Sequence, residues 1–134
     1  MTHLSGNYLG DLRCQSTHED SGKKLITDAP KDNEGKGESF SPTDLVATSL
    51  ANCMLTIMAI RAKNKKIELG KVTYTVQKIM ASNPRRISEV KINFRLEKAI
   101  NEEDRTYLEQ EAKACPVALS LSKELKQSVS FQYA

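Results

Sequence analysis

Three cysteines, Cys14, Cys53 and Cys115, and one arginine, Arg13, are the residues of this sequence best suited to chemistry. A thiol is a nucleophile only as its thiolate, and a neighbouring cation is the usual means of lowering its pKa. Such a thiolate can attack a peroxide, and a second thiol can close a disulfide on the sulfenic acid that results. Cys53 lies in the apolar run Ala51-Asn52-Cys53-Met54, and Cys115 in Ala114-Cys115-Pro116-Val117. On residue type alone two readings of the pair stand. Free cysteine is among the most buried residue types, so both can be inert packing residues. Alternatively, the helix break at Pro116 loosens the backbone around Cys115 and lets its thiol approach another. Arg13 sits on a candidate N-terminal strand able to cross a helix. Cys14, next along that strand, points to the opposite face and is read as structural.

Other chemistries find little support. Three widely separated cysteines make neither a secreted disulfide framework nor a paired-CxxC zinc site, which points to free thiols or one redox pair in the cytoplasm. His3 and His18 are too few and too scattered to complete a metal site with the thiols. Gly35-Lys36-Gly37 lacks the strand-loop-helix setting of a phosphate loop, and no Ser/His/Asp arrangement is visible. No metal or organic cofactor is expected. The 20 basic and 17 acidic residues give a net charge of +3, with only a short basic run at Lys63, Lys65 and Lys66, so nucleic acid is not an expected partner. The start, Met1-Thr2-His3-Leu4-Ser5-Gly6, has no basic segment followed by an apolar run and does not read as a secretory signal.

These residues need a scaffold, and its centre is the stretch from Ser41 to Arg61. Ser41 is a good N-cap, Pro42 suits the first helical position, and Asp44 completes an approximate capping box. Leu45, Val46, Leu50, Cys53, Met54, Ile57 and Ile60 cover more than one stripe, so the helix calls for protein on nearly every side. The 16 residues between Asp44 and Arg61 include several Thr, Ser or Asn, fewer apolar residues than the roughly twenty a membrane span requires. Upstream, Tyr8 to His18 and the pair Leu25 and Ile26 flank the turn signal Glu19-Asp20-Ser21-Gly22, which predicts a hairpin. A charged, glycine-containing loop from Pro30 to Ser39 leads into the helix. Downstream, Val72, Tyr74 and Val76 alternate with threonines, and Val90, Ile92, Phe94 and Leu96 alternate with polar residues, which predicts two antiparallel strands. Asn101 caps a second helix, which breaks at Pro116 and restarts through Val117 to Leu125. Val129, Phe131 and Tyr133 close the chain as a strand. The whole, residues 1–134, reads as a single α+β domain. With so few aromatics it needs a second copy to cover its long helix.

Pro42 at the head of an apolar helix, Cys53 eleven residues later, and the distant Cys115-Pro116-Val117 together resemble the OsmC/Ohr family of osmotically induced and organic hydroperoxide resistance proteins. The segments Thr27-Asp28-Ala29-Pro30 and Ser41-Pro42-Thr43-Asp44-Leu45 resemble its OsmC-like branch. The resemblance implies a two-layer α+β fold built as an intertwined homodimer, and thiol-dependent peroxidase activity against organic hydroperoxides. On that pattern Cys53 is the peroxidatic cysteine, Cys115 resolves its sulfenic acid, Arg13 activates the thiolate, and a dithiol or lipoyl-type reductant restores the thiols. Members with well-established activity carry Glu directly after the motif proline, where Thr43 stands here. Asp44 or Glu38 is then the expected partner of Arg13. The alternative reading is a non-catalytic binding protein for a small apolar or thiol-bearing ligand in a pocket at the dimer interface.

Overall fold

The computed structural model describes all 134 residues, in two compact units, 1–46 and 47–134. The N-terminal unit is an antiparallel sheet of three strands in sequence order: β1 (Leu4–Gly10), β2 (Arg13–His18) and β3 (Lys23–Asp28). The turn around Asp20 sets the β2–β3 register, pairing His18 with Lys23 and, at the far end, Arg13 with Asp28. The expected hairpin is therefore present but incomplete. Leu4–Gly10 adds a strand where Ser5, Gly6 and Asn7 break any apolar alternation, and six of its seven residues are exposed. Beyond β3 a short 3-10 turn (Lys31–Asn33) opens the loop to Ser41. The loop folds back on β3, with the Gly35 amide donating to Pro30 O at 2.9 Å and the Gly37 amide to Ala29 O at 3.1 Å.

Helix α1 spans Pro42–Asn64. Its capping box is formed: Ser41 Oγ accepts the Asp44 amide at 3.0 Å, and Asp44 Oδ2 accepts the Ser41 amide at 2.9 Å. At 23 residues the helix is longer than the sequence suggests, and by length and composition it is apolar enough to cross a membrane. Six of its residues are instead buried within this chain: Ala47, Leu50, Ala51, Met54, Met58 and Ala62. They recur every three or four positions and form one stripe, so burial on nearly every side is not met within one copy. Ile60 stays 44% exposed.

The C-terminal unit continues α1 with a second sheet, β4 (Val72–Ala81), β5 (Arg86–Leu96) and β6 (Lys126–Gln132), and with helices α2 (Glu102–Lys113) and α3 (Pro116–Ser120). β4 and β5 pair antiparallel, as the alternation predicts, and β6, whose direction the sequence leaves open, runs parallel to β5. A parallel neighbour requires a crossover connection, and α2 with α3 supplies it. α3 ends at Ser120, short of the expected Leu125. Val90, Ile92, Phe94 and Leu96 of β5 are buried together with the α1 stripe and with Leu108 and Ala112 of α2. Phe94 stacks on Phe131 of β6 at 5.2 Å and meets Tyr74 of β4 edge-on at 6.0 Å. Asn101 caps α2 by accepting the Asp104 amide at 2.9 Å, and Arg61 of α1 pairs with Glu111 of α2 at 2.9 Å.

Candidate functional site

In the C-terminal unit, α1 carries Cys53 on the flank of its buried stripe, so the thiol is half-buried. Cys115 follows α2 and is fully buried. Pro116 excludes it from helical backbone, and its φ of −69° and ψ of 156° are extended, as expected before proline. That conformation makes Cys115 the N-cap of α3, with its sulfur accepting the Ala118 amide at 3.4 Å. Both cysteines are free thiols, and Cys53 is near enough to Cys115 to act on its protonation. Burial pushes the Cys115 thiol above its ordinary value. The Ala118 amide opposes that rise, and the neighbouring Cys53 adds to it. Next to Cys53, Asn52 Oδ1 accepts the Tyr74 hydroxyl at 2.6 Å, which ties β4 to this turn of α1.

In the N-terminal unit, Arg13 opens β2 directly opposite Asp28, the last residue of β3. Arg13 Nε donates to Asp28 Oδ1 at 3.2 Å and Nη2 to Oδ2 at 3.4 Å, while Nη2 also reaches Glu38 Oε2 at 2.7 Å. The Glu38 amide donates to the same Asp28 Oδ2 at 2.9 Å. The Arg13 hydrogen bond is the main cause holding the Asp28 carboxyl below its usual range, and the Glu38 amide is the next. Of the two carboxylates expected beside Arg13, Glu38 is therefore hydrogen-bonded to it, and Asp44 serves the capping box. The hydroxyls of Thr43 and Ser41 lie 3.1 Å apart at the same cap. Asp28 was missed from sequence, as was Tyr74. A signal for Asp28 existed: a tight turn after His18 fixes the register that puts Arg13 across from it. Cys14 is exposed on β2, and His18 Nδ1 is 2.7 Å from Ser21 Oγ in the β2–β3 turn. No group of three or more His, Cys, Asp or Glu side chains is arranged to hold a metal ion.

A profile of OsmC-like proteins matches residues 35–130, and the chain belongs to that family. A candidate osmotic stress induced and detoxification response protein from Psychrobacter arcticus is 45% identical, with 98% of this chain and 96% of that one covered and a TM-score of 0.94. The organic hydroperoxide resistance protein OsmC of Legionella pneumophila shares the fold at 20% identity, with coverage of 98% and 96% and a TM-score of 0.80. A candidate organic hydroperoxide resistance protein of Vibrio cholerae, solved with captopril in one of its active sites, does so at 20% identity, with coverage of 96% and 90% and a TM-score of 0.75. No curated protein sequence matches the chain significantly.

Proposed function

We propose that this protein is a cysteine-based peroxidase that reduces organic hydroperoxides. The observation that carries the reading is a half-buried free thiol, Cys53, neighbouring a buried free thiol, Cys115, whose protonated form it helps to favour. In this reading the Cys53 thiolate attacks one peroxide oxygen and the O–O bond breaks. The alkoxide leaves and takes a proton, so that one alcohol and a Cys53 sulfenic acid are formed. The Cys115 sulfur then attacks Cys53, a hydroxide departs as water with the Cys115 proton, and a disulfide joins the two. A dithiol of the lipoyl type reduces that disulfide and is itself oxidised. Burial suits Cys115 to the second step, because a protonated, enclosed thiol competes poorly for peroxide. Arg13 is assigned to stabilise the Cys53 thiolate, and Glu38 to help hold Arg13.

The two units act as one OsmC-like domain in a homodimer located in the cytoplasm. Leu4 at 71%, Ile60 at 44% and Leu119 at 75% exposure are apolar surface that a second copy would cover. One equivalent of cumene hydroperoxide should convert the protein to a species lighter by two hydrogens, with Cys53 and Cys115 linked in the peptide map. An unchanged rate of peroxide loss in Cys53→Ser would sink the proposal. Thr43, turned to the Ser41 hydroxyl where active relatives are expected to carry a glutamate, favours the second reading, a binding protein for a small apolar or thiol-bearing ligand. That reading requires a ligand-induced rise in melting temperature that survives Cys53→Ser and Cys115→Ser.

A further inference from the structure

Arg13 has two carboxylate partners of very different character. The Glu38 side chain is 63% exposed, so water and salt compete with its single bond to Nη2. The Asp28 side chain is fully buried, and it grips the guanidinium at two points, Nε and Nη2. A two-point grip fixes the plane of an arginine as well as its position. Asp28 is also tied to the chain on both sides. Its amide donates to Phe40 O at 3.0 Å, and its Oδ2 accepts the amide of Glu38. One carboxylate therefore holds the arginine and the loop that carries the arginine's other partner.

We propose that Asp28 is the positioning residue of the site: through its two-point contact it fixes the guanidinium of Arg13 in the orientation from which Arg13 stabilises the Cys53 thiolate. Glu38 is a secondary brace that Asp28 itself places, through the backbone amide. A buried orienting group of this kind matters because a catalytic contact held loosely by about an ångström loses much of its effect. The inference rests on the reading of Arg13 as the thiolate's activator. It extends that reading to a residue that touches neither sulfur nor peroxide in the proposed reaction.

The test follows Cys53 alone, by peptide mass spectrometry of the iodoacetamide adduct across a pH series, in the whole 134-residue chain carrying Cys14→Ser. In Asp28→Asn the pH of half-maximal Cys53 alkylation should rise by roughly one unit, and peroxide consumption at neutral pH should fall about tenfold. Glu38→Gln should move both less. In an Arg13→Met background Asp28→Asn should add no further shift, because its effect passes through the guanidinium. Arg13→Lys keeps the charge and loses the two-point grip, so it should shift the profile in the same direction even where Asp28→Asn fails to fold. A profile unchanged in folded Asp28→Asn or in Arg13→Lys overturns the proposal, and so does a shift that persists without Arg13. If the unsubstituted protein consumes no peroxide, the peroxidase reading fails by itself, while the alkylation profiles still decide the role of Asp28.

Discussion

Replacing Ser41 by alanine should destabilise the protein by roughly 1–2 kcal/mol, the upper half of the range for losing an N-cap. The structure supplies the reason for the upper half. Ser41 is 1% exposed, so water cannot take over the Asp44 amide that its hydroxyl accepts at 3.0 Å. The same hydroxyl lies 3.1 Å from Thr43 Oγ1, and that contact is lost as well. With an unfolding entropy of ~2.1 cal/mol/K per residue, a loss of ~1.5 kcal/mol lowers the melting temperature by about 5 °C. Asp44→Ala removes the other half of the box, the 2.9 Å bond from the Ser41 amide, and should couple to Ser41→Ala by at least ~0.5 kcal/mol. The assay is urea unfolding followed by far-UV circular dichroism at one protein concentration, with m-values compared to check that only stability has changed. A Ser41→Ala protein within about 0.3 kcal/mol of the parent, or two single losses that simply add, would refute the reciprocal box.

Gly35→Ala should destabilise by about 1–3 kcal/mol and speed amide exchange at Gly37, because a Cβ at Gly35 would lie 1.8 Å from the Ala29 carbonyl oxygen. Asp28 is held below its ordinary value by Arg13, so the unfolded chain takes up that proton first. The stability Asp28 contributes is complete above the usual carboxylate range and is lost as pH falls through the depressed value; urea titrations from pH 7 to pH 2 should show a flatter acid limb in Asp28→Asn. Cys115 and Tyr133 are raised from 9.0 and 10.0, chiefly by burial, so their contribution is complete below those values and is lost as pH rises beyond them. Tyr133→Phe should flatten the alkaline limb of the melting temperature. In the native protein at neutral pH, iodoacetamide should label Cys14 and Cys53 well before the fully buried Cys115, and equal labelling would mean that the burial of Cys115 is wrong.

The parts of this molecule legible in its sequence are those where one local rule acts without competition. Ser41, Pro42 and Asp44 mark the start of α1 because the cap and the first-turn acid each accept the other's amide, and the proline has no amide N–H to leave unpaired. Asn101 marks α2 by accepting the Asp104 amide, and Cys115 takes the extended backbone that Pro116 demands. What depends on partners distant in sequence was not legible. β1 lacks alternation because both its faces are largely exposed, so the period-two signal that betrays β5 never forms. The direction of β6 follows from the path of α2 and α3, and no residue within Lys126–Gln132 encodes it. The candidate site divides the same way. Cys53 and Cys115 stand out by residue type, but their roles, and Glu38 as a partner of Arg13, come only from the family resemblance. Asp28 is not marked by the tetrapeptide Thr27-Asp28-Ala29-Pro30 itself, because its place opposite Arg13 comes from the register that the distant β2–β3 turn sets, and from burial.

The sulfur of Cys115 is also the cap of α3, and this gives the protein a built-in spectroscopic reporter. The Ala118 amide points at that sulfur, so its proton senses the electron density there without any label or substitution. A thiol, a thiolate and a disulfide sulfur are acceptors of different strength, and the chemical shift and exchange rate of one backbone proton should separate them. Redox titration read at Ala118 would follow the buried sulfur in intact protein, where alkylating reagents are slowest to arrive.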